Sequence, residues 1–163
     1  MRKTIDVKLE RKRMSTNLYE LIDELCPDGV EYKALGEVCD FKRGKTITKK
    51  KAIEGDVPVI AGGKKPAYFH NTPNRVGVTI VVAGSGAYAG YVTYWDKPIF
   101  VSDAFSVEPK GDNLNKRYLY HWLKSIQKEI HDTKRGGGIP HVYGKSIAGI
   151  LMIIGNGYPH LAV

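Results

Sequence analysis

The sequence predicts an α+β fold: a twisted, mostly antiparallel sheet with an N-terminal helix and a C-terminal helix. Three observations carry that expectation. A short amphipathic segment opens the readable chain. From Ala34 the texture changes to short runs rich in Val, Ile, Tyr, Phe and Thr, each closed by Gly, Pro, Asn or Asp. A second amphipathic segment follows the last of these runs. The whole is 163 residues long, room for one ordinary domain.

The first helix is expected just after Met14, where Ser15, Thr16 and Asn17 are all good N-caps and Glu20 sits in the first turns. Leu18, Leu21, Ile22 and Leu25 then recur at helical spacing, and Pro27-Asp28-Gly29 stops the helix. Strands are expected at residues 56–60, 77–83, 90–95, 99–101 and 104–108. Between them stand Gly62-Gly63, Thr72-Pro73-Asn74, Gly84-Ser85-Gly86 and Asp96-Lys97-Pro98, all turn chemistry. The second helix is expected over residues 114–131, capped by Asn113. Leu114, Tyr118, Leu119, Trp122, Leu123, Ile126 and Ile130 share one face, and Gly136-Gly137-Gly138 ends it. A last short apolar segment covers residues 147–154.

Composition excludes several classes. The apolar fraction is 42% and the charged fraction 26%, values of a globular chain rather than a disordered one. No apolar run is long enough to cross a bilayer. Residues 1–13 are basic but lack the apolar core of a secretory signal. Cys26 and Cys39 are too few for a disulfide framework and read as small packing residues, so a reduced, cytoplasmic setting is expected.

The net charge of +8 is uneven: +4 over residues 1–13, −6 over 14–40 and +10 over 41–163. The densest basic stretch is 41–51, where Lys42, Arg43, Lys45, Lys49, Lys50 and Lys51 surround Thr46 without one acid. Lys64-Lys65 and Lys134-Arg135 form two more basic groups. Such a surface attracts a polyanion, and phosphate neutralisation makes that attraction salt-sensitive. Charge alone serves a solvated basic face equally well.

No catalytic constellation is visible. Gly84-Ser85-Gly86-Ala87-Tyr88-Ala89-Gly90 invites comparison with a dinucleotide loop, but its spacing is G-x-G-x-x-x-G. Tyr91-Val92-Thr93-Tyr94-Trp95 after it reads as a strand, where a pyrophosphate site needs a helix N-terminus. The loop is therefore an ordinary hairpin turn, or a small-residue loop that lets backbone approach a phosphate or groove. Lys45 and Lys145 lack the frame of a P-loop, and neither H-E-x-x-H nor an N-P-P-Y-like methyltransferase motif occurs. His70, His121, His131, His141 and His160 are scattered, and none pairs with a cysteine at zinc spacing. Asp56 and Asp103 are single carboxylates that read as turn and strand-end residues. No cofactor, no metal and no catalytic residue are expected.

Polar and aromatic loop residues interleave with the basic ones: Tyr68, His70, Asn71, Asn74 and Arg75 in one run, Ser85, Tyr88 and Tyr91 in another. Arg and Lys can read guanine, Asn can read adenine, and Tyr can bond phosphate. Ten tyrosines against four phenylalanines suit a wet recognition surface. The candidate DNA-facing set is Lys42, Arg43, Lys45, Thr46, Lys49, Lys50, Lys64, Lys65, Tyr68, Asn71, Asn74, Arg75, Ser85, Tyr88, Lys134 and Arg135. Within it Lys42, Arg43, Lys45, Lys49 and Lys50 are expected on the backbone, and Tyr68, Asn71, Asn74, Arg75, Ser85 and Tyr88 on base edges.

The order of motifs resembles a known family. Asn17-Leu18, Leu25-Cys26-Pro27-Asp28-Gly29-Val30-Glu31-Tyr32-Lys33 and Leu35-Gly36-Glu37-Val38 resemble the opening of the specificity (S) subunit of type I restriction–modification systems. Asp56-Val57-Pro58-Val59-Ile60 with Gly62-Gly63, Thr79-Ile80-Val81 before Gly84-Ser85-Gly86-Ala87, and Gly90-Tyr91-Val92 look like its first target recognition domain. Pro98-Ile99-Phe100 with Ser102-Asp103, Tyr118-Leu119-Tyr120 and Gly138-Ile139-Pro140-His141 continue the series.

The resemblance implies a target-recognition-domain fold and DNA reading without catalysis. One domain of that kind reads one half of a split duplex target. Methylation and cleavage belong to a modification (methyltransferase) subunit and a restriction subunit, which become expected partners together with double-stranded DNA and a second recognition half; no membrane partner is expected. Residues 1–16 are then a basic N-terminal extension, 17–150 a single recognition domain, and 151–163 an atypical tail without the family's spacer helix. A different class stays open: a docking or dimerisation module for a methyltransferase subunit that does not read DNA by itself, using the apolar face of the first helix. A non-specific RNA binder would need aromatic stacking platforms, and none is evident.

Overall fold

The computed structural model describes residues 16–155. The basic extension before Thr16 and the tail beyond Gly155 lie outside the described residues.

The first helix, α1, spans Thr16–Leu25 and ends where the Cys26 N–H donates to Ile22 O at 2.8 Å. Leu25 is exposed, whereas Cys26 is buried. The chain turns at Gly29, whose φ of +82° suits a residue without Cβ. Strand β1 (Val30–Ala34) follows, then a one-turn helix, α2 (Leu35–Val38), and strand β2 (Cys39–Arg43). A 3-10 turn at Lys49–Lys51 precedes β3 (Val57–Ile60) and the short β4 (Tyr68–His70). Strands β5 (Thr79–Ala83), β6 (Val92–Trp95), β7 (Phe100–Val101) and β8 (Ala104–Pro109) complete the middle of the chain. Helices α3 (Lys116–Ser125), α4 (Gln127–Asp132) and α5 (Gly144–Ile147) lead to β9 (Leu151–Gly155).

The fold class is as the sequence predicts, α+β with mostly antiparallel pairing, but the strands form three sheets rather than one. The central sheet is antiparallel, in the order β2-β8-β5-β6. A second sheet, β4-β3-β7, includes one parallel pair, β3 with β7. The third is the ribbon β1-β9. All five residues of β5, Thr-Ile-Val-Val-Ala, are buried, the signature of a strand covered on both faces. Ile80 and Val82 join Leu119, Leu123 and Ile130 of the helices in the main core, while Val81 joins Ile60, Ile99 and Val101 in a second core. The central sheet is thus sandwiched between helices and the β3 sheet. Each fully buried Leu or Ile here contributes about 1.5–3 kcal/mol of transfer free energy.

Two boundaries differ from expectation. The C-terminal helix is two helices broken at Ile126, and its cap is Asn115 rather than Asn113. The Asn115 Oδ1 accepts from Arg117 N at 2.8 Å and Tyr118 N at 3.2 Å. At the break, Ser125 Oγ donates back to Trp122 O, and Gln127 is held by β6; the Gly136–Gly138 run lies beyond the helix end at Asp132. Residues 151–155, set at the start of a tail by sequence, pair as β9 along the whole of β1, from Val30 with Gly155 to Ala34 with Leu151. Met152 is fully buried, and Tyr118 Oη donates to Ile153 O at 2.7 Å. These contacts tie residues 151–155 to the rest of the domain.

Candidate nucleic-acid interface

Antiparallel pairing gathers loops from distant parts of the chain at one end of the central sheet. Arg43 closes β2 opposite Phe105 near the start of β8, and Ala83 closes β5 opposite Ala104. The hairpin between β5 and β6, the segment after β2, the loop after β3 and the Ser102-Asp103 corner therefore share that end. Segment 134–145 is stitched beside them: Gly86 N donates to Pro140 O at 3.0 Å, and Val142 N to Gly84 O at 3.0 Å. Arg135 and His141 exchange both backbone hydrogen bonds, at 2.9 and 2.8 Å. The loop after β3 packs so close to the hairpin that a Cβ at Gly62 would stand 2.4 Å from Ser85 O. Only a glycine permits that approach.

Segments 44–47, 61–65, 84–91, 102–103 and 134–145 contain six cations (Lys45, Lys64, Lys65, Lys134, Arg135 and Lys145) and one acid, Asp103. All six cationic residues are exposed. Lys64 Nζ stands 4.9 Å from the Tyr88 ring centre and 5.2 Å from that of Tyr91. Lys124 of α3 covers Tyr91 at 4.2 Å. These cation–π contacts position the ammonium groups, and Lys124 Nζ also donates to Gln127 Oε1 at 3.4 Å. Gln127 anchors the base of the cluster, its Oε1 accepting from Val92 N at 3.0 Å and its Nε2 donating to Gly90 O at 2.6 Å.

Beside this cluster lies a cleft of about 180 Å³ lined by Phe41, Arg43, Asp103, His141, Tyr143 and Lys145, among others. The Ser85 hydroxyl donates to Asp103 Oδ2 at its edge. His141 and Tyr143 present nearly parallel rings, 6.0 Å apart. A Cβ at Gly144 would meet Phe41 at 2.6 Å, so the wall of the cleft depends on the bare glycine.

The structure sorts the sequence-derived set. Arg43, Lys45, Thr46, Lys64, Lys65, Ser85, Tyr88, Lys134 and Arg135 come together at the loop end. Lys49 and Lys50 stand apart on the 3-10 turn that precedes Ile53, whose N–H donates to His70 Nδ1 at 3.1 Å. Lys42 pairs with Glu108. Asn71 is exposed after β4 and accepts from the Thr72 hydroxyl at 2.9 Å. Three expected base contacts have their side chains committed to the fold. Tyr68 Oη donates to Ile47 O. Asn74 bonds both backbone groups of Val101. Arg75 donates to Ser106 Oγ at 2.9 Å, to the carbonyls of Asn74, Lys42 and Arg43 at 2.9–3.2 Å, and faces Glu108. Side chains so engaged are held in place by the fold: four of the five Arg75 N–H donors and one of the two Asn74 Nδ2 hydrogens are already used.

Lys124, His141 and Lys145 belong to the loop end although sequence reasoning gave them no DNA-facing role. The only sequence signal for them is basic or aromatic character at a turn or helix end, which many solvated residues share. Among the described residues no group of His, Cys, Asp and Glu is arranged to hold a metal ion, and no helix is long and apolar enough to cross a membrane.

The architecture is that of an α+β domain presenting loops from one end of a covered sheet. The chain belongs to the family of type I restriction modification DNA specificity domains, whose model matches residues 27–154. The S subunit of a type I restriction–modification system from M. genitalium is similar in fold, with TM-score 0.71 and 22% identity over 79% of this chain and 35% of that one. The HsdS subunit from Thermoanaerobacter tengcongensis gives TM-score 0.57 and 16% identity over 91% of this chain and 44% of that one. A chain from a structure describing complex assembly and conformational transition of the type I restriction–modification system gives TM-score 0.60 and 16% identity, over 91% and 45%. The chain thus spans less than half the length of each. No curated protein matches by sequence.

Proposed function

We propose that the loop end binds duplex DNA and reads one half of a split target, as a non-catalytic specificity component of a type I restriction–modification assembly. The observation that carries this reading is the convergence of five loop segments, with six cations and a single acid, at one end of the covered central sheet. Lys45, Lys64, Lys65, Lys124, Lys134, Arg135 and Lys145 hold phosphates and set the register, as phosphate contacts do, and loop side chains between them read base edges. The modification and restriction subunits, which would carry the chemistry, and a second recognition half are the partners this reading requires.

Selection from a randomised duplex pool at two salt concentrations tests it. Enrichment of a few adjacent base pairs supports a half-site reader. Binding without enrichment, lost at the higher salt, contradicts it and leaves a basic surface only.

A further inference from the structure

Asp103 is chemically out of place at the loop end. It is the one acid in segments that carry six cations, and a carboxylate repels phosphate. A surface that met only sugar–phosphate backbone would gain nothing from it. Yet the position is well built. Gly84 N donates to the Asp103 carbonyl at 3.1 Å, and the Ser85 hydroxyl holds Oδ2. No hydrogen bond among the described residues reaches Oδ1, and no ion pair among them uses Asp103, Arg43 or Lys145. The carboxylate and the two cations line the same cleft without cancelling one another.

On a duplex, the groups from which a carboxylate accepts are exocyclic amines, the cytosine N4 amino group foremost. A guanidinium places two donors on guanine O6 and N7. Those three groups lie side by side on the major-groove edge of one G·C pair. We propose that the Arg43–Asp103 cleft reads a G·C base pair, Asp103 accepting from the cytosine amino group and Arg43 donating to the guanine. The assignment rests on the DNA-binding reading of this same end. Adenine N6 shares the amino chemistry, but its thymine partner offers the single acceptor O4 and a methyl group, which leaves one Arg43 donor unused.

The test compares the full chain with Asp103→Asn and Arg43→Ala in selection from a randomised duplex pool. Asparagine keeps an acceptor for Ser85 and puts a donor where the second oxygen was. The expected result is one C·G position in the wild-type motif at which Asp103→Asn lowers discrimination about tenfold or more. Arg43→Ala should relax the same base pair. Arg43 is exposed and its main chain keeps the Phe105 pairing and the Arg75 contact, so this variant reports even if the first is unstable. An unchanged motif in both variants, an equal loss on every sequence, or a responsive position that selects adenine overturns the G·C assignment. A wild-type chain that enriches no motif overturns the DNA-reading proposal itself, and is told apart by needing no variant.

Discussion

Asn74 holds Val101 by both ends of its side-chain amide: Oδ1 accepts from Val101 N at 2.7 Å and Nδ2 donates to Val101 O at 2.8 Å. Val101 is fully buried and ends β7, the short strand that runs parallel to β3. An asparagine that the sequence offers as an adenine reader thus acts as a surrogate strand for a buried backbone. In Asn74→Ala the Val101 carbonyl keeps the Lys45 N–H at 3.0 Å, while the Val101 N–H loses its partner. Stability should fall by about 1–3 kcal/mol, roughly 2–4 °C in Tm per kcal/mol. Base preference of the folded fraction should not change. Thermal melting and duplex selection on the variant check the two halves of this expectation.

Glu108 gives the fold an acid-sensitive joint. Burial pushes its carboxyl up, but hydrogen bonds from Lys42 and Ser106, with the charges of Lys42 and Arg75, outweigh that and hold it below the ordinary carboxylate value. A carboxyl depressed by folding stabilises above its unfolded pKa, and that contribution is lost as pH falls through the folded value. Glu108→Gln should cost about 1–3 kcal/mol at neutral pH and flatten the acid limb of the stability profile. Urea midpoints measured from pH 7 down to pH 3 would show whether the two profiles converge at low pH as expected.

Cys39 should be chemically silent in the native state. Burial chiefly, with the Asp40 charge beside it and Lys110 opposing, pushes its thiol up to about 12, and the residue is 1% exposed. Alkylation at pH 8, read by mass spectrometry of the peptide, should therefore proceed only as fast as the domain unfolds. Fast labelling under native conditions would mean that β2 opens locally.

Gly62→Ala tests whether the loop end works as one surface. The added Cβ meets a main-chain oxygen of Ser85, which cannot swing aside as a side chain can. The loops should part, with about 1–3 kcal/mol of strain and weaker duplex binding. A melting curve and a binding isotherm on the same sample separate the two effects; undiminished affinity would show that the two loops act independently.

Much of the fold was legible because its strongest elements are chemically explicit. The run Thr79-Ile80-Val81-Val82-Ala83 is apolar on both faces and sits in the centre of the molecule, and Leu119, Leu123 and Ile130 repeat at helical spacing against it. Strand β2 was not legible: it is an edge strand, and Asp40, Lys42 and Arg43 are exposed in it, so its sequence looks like a basic loop. Strand β4 is three residues long and shows no period. The site divides on similar grounds. Lysines at Gly-rich turns face water wherever the chain goes, so the exposure of Lys64, Lys65 and Lys134 was legible. Asn74 and Arg75 carry the same donors whether they serve a base edge or a strand end. Only the distant partners Val101 and Ser106, 27 and 31 residues away, decide between these uses.

If DNA phosphates meet the loop end, the salt dependence of duplex binding must report it. Duplex affinity would be measured from low to moderate salt for the wild-type chain, for Lys64→Ala with Lys124→Ala, and for Lys33→Ala on the β1–β9 ribbon. The double variant should weaken all duplexes alike and lower the slope of log K against log salt by about 2, roughly one for each phosphate contact. Lys33→Ala should leave the slope unchanged. Equal slopes for the wild type and the double variant, or a lower slope for Lys33→Ala, would contradict the placement of DNA at the loop end.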